Sequence, residues 1–180
     1  SIGAHFQLRH LAASAGTLNQ KQAHLDMVRV GIALYGLDPN PHLKASDFGL
    51  VPAMRVSSEV VSVKQVPAGH GVSYGYLHKT SSPSTLALVP FGYAEGMPRI
   101  ATGRASVLLN GKRYPILARI AMDQFILDVG NDQVKVGDEV VIFGNGSKGE
   151  PTAEELALAA QTINYEIVTR IGGRAKRVYK

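Results

Sequence analysis

Ser106-Val-Leu-Leu-Asn-Gly-Lys-Arg-Tyr-Pro-Ile-Leu117 decides the architecture. Two β-prone runs, Ser106 to Leu109 and Tyr114 to Leu117, flank Asn110-Gly111. That dipeptide favours the positive φ angles of a two-residue hairpin turn. The same pattern extends outward in both directions. Val56 to Val66, Thr85 to Val89, Phe125 to Val129 and Val140 to Phe143 are further β-branched runs, and Val129-Gly-Asn-Asp and Val136-Gly-Asp read as turns. Short strands at this spacing predict a compact antiparallel barrel or sandwich.

Beyond the last run, Thr152 is placed to cap a helix and Glu155 to complete a capping box, with Leu156, Ala160, Ile163 and Ile167 on one face. One helix ending near Gly172-Gly173 is the expectation. Before the first run, residues 1–40 have a different character. Phe6-Gln-Leu-Arg-His-Leu and Ile32-Ala-Leu-Tyr are short apolar segments separated by a polar stretch, the pattern of strand, loop or helix, strand. Two parallel strands alone leave unpaired edges and cannot close a barrel. A further part upstream is therefore expected, and the absence of an opening methionine fits Ser1 being internal to something longer.

Composition narrows the chemistry. The chain has 180 residues, 45% of them hydrophobic, enough for a core of its own. It contains no cysteine, which removes disulfides, thiolate nucleophiles and zinc knuckles. No apolar run approaches the roughly 18 to 20 residues of a membrane span, and Ser1-Ile-Gly-Ala-His-Phe lacks the regions of a signal peptide. A cytoplasmic protein without a membrane partner is the expectation. The net charge of +5 is scattered except at Arg170, Arg174, Lys176, Arg177 and Lys180, a tail that reads as solvated. Basic residues do not gather on the tyrosine-bearing runs, so no nucleic-acid partner is expected.

Among chemistry-bearing side chains, Tyr74 stands between a small polar residue and glycine in Gly71-Val-Ser-Tyr-Gly, in a loop after a strand that leaves its phenol free to project. A phenol with a pKa near 10 donates readily but acts as a base only if cations or hydrogen bonds lower that value. Its neighbourhood alone favours a structural tyrosine, as do those of Tyr93 and Tyr165.

Taken in order, Asp26-Met-Val-Arg-Val-Gly-Ile-Ala-Leu-Tyr-Gly, Val72-Ser-Tyr-Gly, Phe91-Gly-Tyr-Ala-Glu-Gly, Arg119-Ile-Ala-Met-Asp-Gln and Thr162-Ile-Asn-Tyr-Glu closely resemble the signature segments of the alanine racemase family. The resemblance implies an eightfold α/β barrel holding pyridoxal 5'-phosphate, a mainly β C-terminal domain, and a head-to-tail homodimer. Residues 1–40 would be the last two barrel strands. Residues 41–180 would be the β domain, an antiparallel Greek-key-like barrel with one C-terminal helix. The implied activity is isomerisation of L-alanine and D-alanine through a cofactor-stabilised carbanion, supplying D-alanine for cell-wall precursors.

The resemblance also assigns roles. Ser14, the amides of Gly31 and Ile32, and the Tyr165 hydroxyl would hold the cofactor phosphate, near the loops where such barrels commonly bind it. Arg29 would face the pyridine nitrogen. A guanidinium only donates, so that nitrogen would stay unprotonated, which favours racemisation over transamination. The plainer alternative pairs Arg29 with Asp26. Racemisation needs an acid/base on each face of the substrate carbon. Tyr74 would be the one that takes the proton from L-alanine, acting in the partner subunit's site. Met122 would offer its backbone amide to the substrate carboxylate beside Asp123, with Tyr93 at the mouth of the site. Packing or dimer contact is the alternative for Asp123 and Tyr93.

Two departures accompany the resemblance. The family's cofactor lysine sits in an alanine- and glycine-rich first strand, whereas the lysines here, from Lys21 to Lys180, lie in polar, hairpin or tail segments. Its substrate-binding arginine and the histidine coupling Arg29 to the tyrosine also belong to the missing half. Ala13 stands where asparagine is usual, which removes one hydrogen bond near the phosphate. The chain alone is therefore expected to be inactive. The rival reading is a non-catalytic β domain used for dimerisation or partner binding.

Overall fold

In the computed structural model, which describes residue 3 and residues 5–179, the chain divides into two units, Ser1–Ala53 and Met54–Lys180. The first is built on two parallel strands, β1 (His10–Ala13) and β2 (Met27–Arg29), joined through helix α1 (Ser14–Asn19). Ile32-Ala-Leu-Tyr35, expected as the second strand, is instead a single 3-10 turn. The cause is local. Ser14 Oγ accepts the N–H groups of Gly31 and Ala33, which curls the chain at once, and Gly36 ends the turn with φ of 72°. A Cβ on Gly36 would lie 1.8 Å from the Val51 carbonyl oxygen, so only glycine lets residues 51–53 return here. Asp38 holds the same return through the Ala45 N–H and Lys44. By packing, residues 41–53 therefore go with the first unit. Leu8, Leu11 and Leu34 remain exposed.

The second unit is mainly β and antiparallel, as the turn spacing predicted. In chain order its strands are β3 (Val56–Glu59), β4 (Ser62–Val66), β5 (Gly71–Val72), β6 (His78–Lys79), β7 (Ser84–Val89), β8 (Ser106–Leu109), β9 (Lys112–Pro115), β10 (Phe125–Gly130) and β11 (Glu139–Phe143). They form sheets ordered β3-β11-β8-β9 and β10-β7-β4, with β5-β6 a separate hairpin. The run Val56 to Val66 is not one strand. It turns a corner at buried Val60, which bonds Asp138 O and Gly137 N–H, while Val61 N–H reaches Leu88 O. One continuous stretch thus serves both sheets. Asn110 and Gly111 have φ of 50° and 78°, and Leu109 pairs with Lys112, which gives the expected two-residue hairpin.

Alternation sets the core. Along β10, Phe125, Leu127 and Val129 point inward, and they join Val107, Leu109, Ile116, Ile120, Val140, Ile142 and Phe143. Each such side chain contributes about 1.5–3 kcal/mol on burial.

The C-terminal helix is two helices, α2 (Ala153–Ala159) and α3 (Asn164–Arg170). Thr152 Oγ1 accepts the Glu155 N–H as expected, but the Glu155 carboxylate goes to Arg113 instead of closing the capping box. Gln161 sits at φ of 56°, and Thr162 N–H bonds Ala157 O while Gln161 N–H bonds Leu158 O. This is a Schellman ending made without glycine. Leu156, Ala160 and Ile167 are buried, whereas Ile163, expected on the same face, falls in the break and is exposed.

Candidate active site

In the first unit, Ser14 and Gly31 are brought together. Ser14 is buried and its Oγ accepts from Gly31 N–H at 3.0 Å and Ala33 N–H at 3.2 Å. A hydroxyl so engaged still has its own proton to donate. Among the described residues nothing accepts the Ile32 N–H. Arg29, at the end of β2, donates to His10 Nδ1 across the strand pair. The alternative pairing with Asp26 does not form, because Asp26 is taken by Arg9 at 2.9 Å. That ion pair holds the Asp26 carboxyl below its ordinary value.

In the second unit, Tyr74 stands at the tip of the β5–β6 hairpin with 70% of its surface exposed. Ser73, just before it, has φ of 59° and ψ of −172°, Gly75 has φ of 71° and Tyr76 φ of 46°. Ser73 Oγ donates to Arg119 O at 2.7 Å, and the Arg119 guanidinium lies beside Gly75. The Tyr76 ring lies over Gly71, where a Cβ would come within 2.5 Å of it.

Tyr93, Met122 and Asp123 meet at a second point. Tyr93 N–H donates to Ala121 O at 3.1 Å and Ala94 N–H to Met122 O at 2.9 Å. The contact is so close that a Cβ on Gly92 would sit 2.2 Å from Met122 O. The Met122 N–H finds no acceptor among the described residues. Holding this contact is Glu95, only 2% exposed, whose carboxylate accepts the Gly92 N–H at 2.8 Å and Arg174 Nε at 2.8 Å. Arg174 also donates to Asp123 O at 2.9 Å. The guanidinium, helped by the Gly92 N–H, keeps Glu95 below its usual carboxylate range despite its burial. Tyr165 lies on α3, half-buried, and burial pushes its phenol up, so it stays a proton donor.

Sequence reasoning took Arg174 for part of a solvated tail and passed over Glu95, Ser73, His78 and Asp128. The side-chain ties from Ser73 to Arg119 O, His78 to Asp128 and Glu95 to Arg174 span 46, 50 and 79 residues, separations no local pattern reveals. The one available signal was an acidic residue inside an otherwise apolar, glycine-bounded turn at Phe91-Gly-Tyr-Ala-Glu-Gly.

A short parallel α/β unit followed by an antiparallel β domain with a tyrosine at a hairpin tip defines the class of chain. Residues 53–179 match the family described as alanine racemase, C-terminal domain, and residues 2–39 match alanine racemase, N-terminal domain. The chain belongs to the alanine racemase family, whose members depend on pyridoxal phosphate. It is 52% identical to an alanine racemase of Frankia casuarinae over 98% of its own length and 46% of that protein's. The crystal structure of alanine racemase from Streptomyces lavendulae superposes with a TM-score of 0.94 at 53% identity, covering 99% of this chain and 47% of that one. The biosynthetic alanine racemase of Pseudomonas aeruginosa gives 0.86 at 35% identity, over 98% and 48%. The chain thus spans about half the length of the relatives it matches.

Proposed function

We propose that this chain is the C-terminal part of a pyridoxal-phosphate-dependent alanine racemase that interconverts L-alanine and D-alanine in the cytoplasm for cell-wall precursor supply. The observation that carries the reading is the Tyr74 phenol, largely exposed on a turn whose backbone no ordinary loop would adopt. Tyr114, the tyrosine packed in the core of the β domain, is by contrast only 5% exposed. Residues 1–40, with residues 41–53 packed against them, would complete an eightfold α/β barrel, and residues 54–180 would form the β domain.

The residues present fit the cofactor. Ser14 keeps a hydroxyl proton and Ile32 an amide proton for phosphate oxygens, with Gly31 fixing Ser14. By the family resemblance Tyr165, its phenol kept protonated by burial, would donate to the same phosphate. Arg29 has no carboxylate partner among the described residues and can face the ring nitrogen as a pure donor. When bound, pyridoxal phosphate draws electrons from the substrate and acidifies its Cα hydrogen. Tyr74, reaching the partner subunit's site in a head-to-tail homodimer, takes that proton from L-alanine or returns one to the same face. The Met122 N–H orients the substrate carboxylate beside Asp123, and Tyr93 narrows the mouth. A second acid/base, the lysine that also holds the cofactor, serves the other face from the upstream part.

Two measurements test this. The 180-residue chain alone should give no racemisation with pyridoxal phosphate. In the complete protein Tyr74→Phe should slow racemisation by about 10²–10⁴-fold. Full activity of the Phe variant would overturn the assignment.

A further inference from the structure

The hairpin that presents Tyr74 cannot hold its own shape. It has two residue pairs, Gly71 with Lys79 and Val72 with His78, and a two-stranded ribbon that short is not stable by itself. Its tip is also strained. Ser73 occupies a backbone region that is almost the preserve of glycine, and Tyr76 is left-handed as well. Such conformations persist only where the surroundings impose them.

The ties that impose them are few. At the base, buried Thr80 donates to Pro67 O at 2.7 Å and accepts the His70 N–H at 3.0 Å. Before Tyr74, Ser73 is fixed to Arg119 O. After Tyr74, His78 Nε2 meets Asp128 Oδ2 at 2.7 Å, with both side chains less than 20% exposed. Asp128 is a rigid post. It stands on β10, and its other oxygen takes the Ser84 hydroxyl from β7 and the Gly130 N–H. Burial would push its carboxyl up, but these three donors hold it below the ordinary value, so it stays an acceptor at neutral pH.

We propose that His78 is a positioning residue for racemisation: anchored to Asp128, it fixes the C-terminal arm of the Tyr74 turn and so sets where the phenol meets the substrate. It touches no substrate itself. The proposal rests on the function assigned to Tyr74 above, and its signature follows from that function. Tyr74 serves one face of the substrate carbon and the second acid/base serves the other. A displaced Tyr74 should therefore block inversion while the second group still removes and returns the Cα hydrogen of D-alanine on its own face.

The test has two arms. In the complete enzyme, His78→Phe should reduce racemisation roughly 10- to 100-fold, the cost of a small misplacement of a reacting group. Exchange of the D-alanine Cα hydrogen with deuterated solvent should stay within about 3-fold of the parent, because the second group works alone there. His78→Gln, which can still donate to Asp128, should recover most of the racemisation. Parallel loss of exchange and racemisation, or racemisation unchanged in His78→Phe, would overturn the proposal. In the 180-residue chain, amide hydrogen exchange at Tyr76, whose N–H bonds Ser73 O, and along β5 and β6 should accelerate in His78→Phe while β7 and β10 keep their protection, which also certifies the fold. Unchanged exchange at the turn would overturn the proposal too. A complete parent protein without racemase activity would instead sink the function, and the exchange arm would still decide whether His78 holds the turn.

Discussion

At the Met122 segment, backbone meets backbone. Tyr93 and Ala94 bond directly to Ala121 and Met122, Gly92 leaves no room for a side chain, and a buried carboxylate ties the contact to Arg174. At the Tyr74 turn the fastening is by side chains, Ser73 on one arm and His78 on the other, and the tip stands in solvent. The two regions carry different duties in the proposed reaction. A group that orients a carboxylate must keep one backbone direction, which a packed contact guarantees. A proton carrier that reaches into another subunit must project, so its supports can only come from behind. The difference teaches that rigidity is bought at Met122 by burial and at Tyr74 by a small number of anchored hydrogen bonds.

The sharpest way to break this contrast is one substitution made in both places. Gly92→Ala drives a Cβ against the carbonyl of Met122, and backbone must move to admit it. We expect a loss of roughly 3 kcal/mol, at the upper end of overpacking costs. Gly75→Ala meets nothing closer than the Arg119 guanidinium at 3.8 Å, so its cost is the left-handed φ alone, about 1–2 kcal/mol. Urea denaturation of the two variants checks the order. Equal losses would mean that the Tyr74 turn is packed as tightly as the Met122 segment.

A smaller, crossed effect is expected from the polar ties. Arg174→Ala strands the Glu95 carboxylate in the interior, so it should lower the denaturation midpoint clearly. In the complete enzyme it should also raise KM for both alanine enantiomers with little change in kcat, the pattern of lost uniform binding. Ser73→Ala should do the reverse, with little change in stability but slower racemisation. If Arg174→Ala lowered kcat alone, the Met122 segment would not be a binding element.

Much of this was legible in the sequence where the cause is local. Asn110-Gly111 announces its turn because its φ values are a property of those two residues. The alternation of Phe125, Leu127 and Val129 announces an inward face because one strand carries it. The motif segments around Tyr74, Tyr93 and Met122 pointed to the family for the same reason. What stayed hidden was set by distant partners. Val56 to Val66 reads as one strand, and only the bonds of Val60 and Val61 to different sheets reveal the corner. The helix reads as continuous because Gln161 gives no sign of a left-handed ending that glycine would have betrayed. Arg174 reads as tail until Glu95 is placed beside it.

The last and smallest test separates the two regions by acid. Glu95 titrates below its ordinary 4.5 and Asp128 below its ordinary 3.8 in the folded chain. Above those ordinary values each carboxylate is ionised in both folded and unfolded states, and its full contribution to stability is present. As pH falls through the ordinary value, the unfolded chain takes up the proton first, so stability is drawn down until the folded carboxyl also protonates. The Glu95 contribution therefore begins to fade near pH 4.5, and that of Asp128 only near 3.8. Glu95→Gln should flatten the upper part of the acid limb of stability against pH, and Asp128→Asn the lower part. Urea midpoints from neutral pH down through that limb would read both. A Glu95→Gln variant whose acid limb matched the parent's would show that the carboxylate behind Met122 is not held ionised by Arg174, and the contrast between the two regions would lose its electrostatic half.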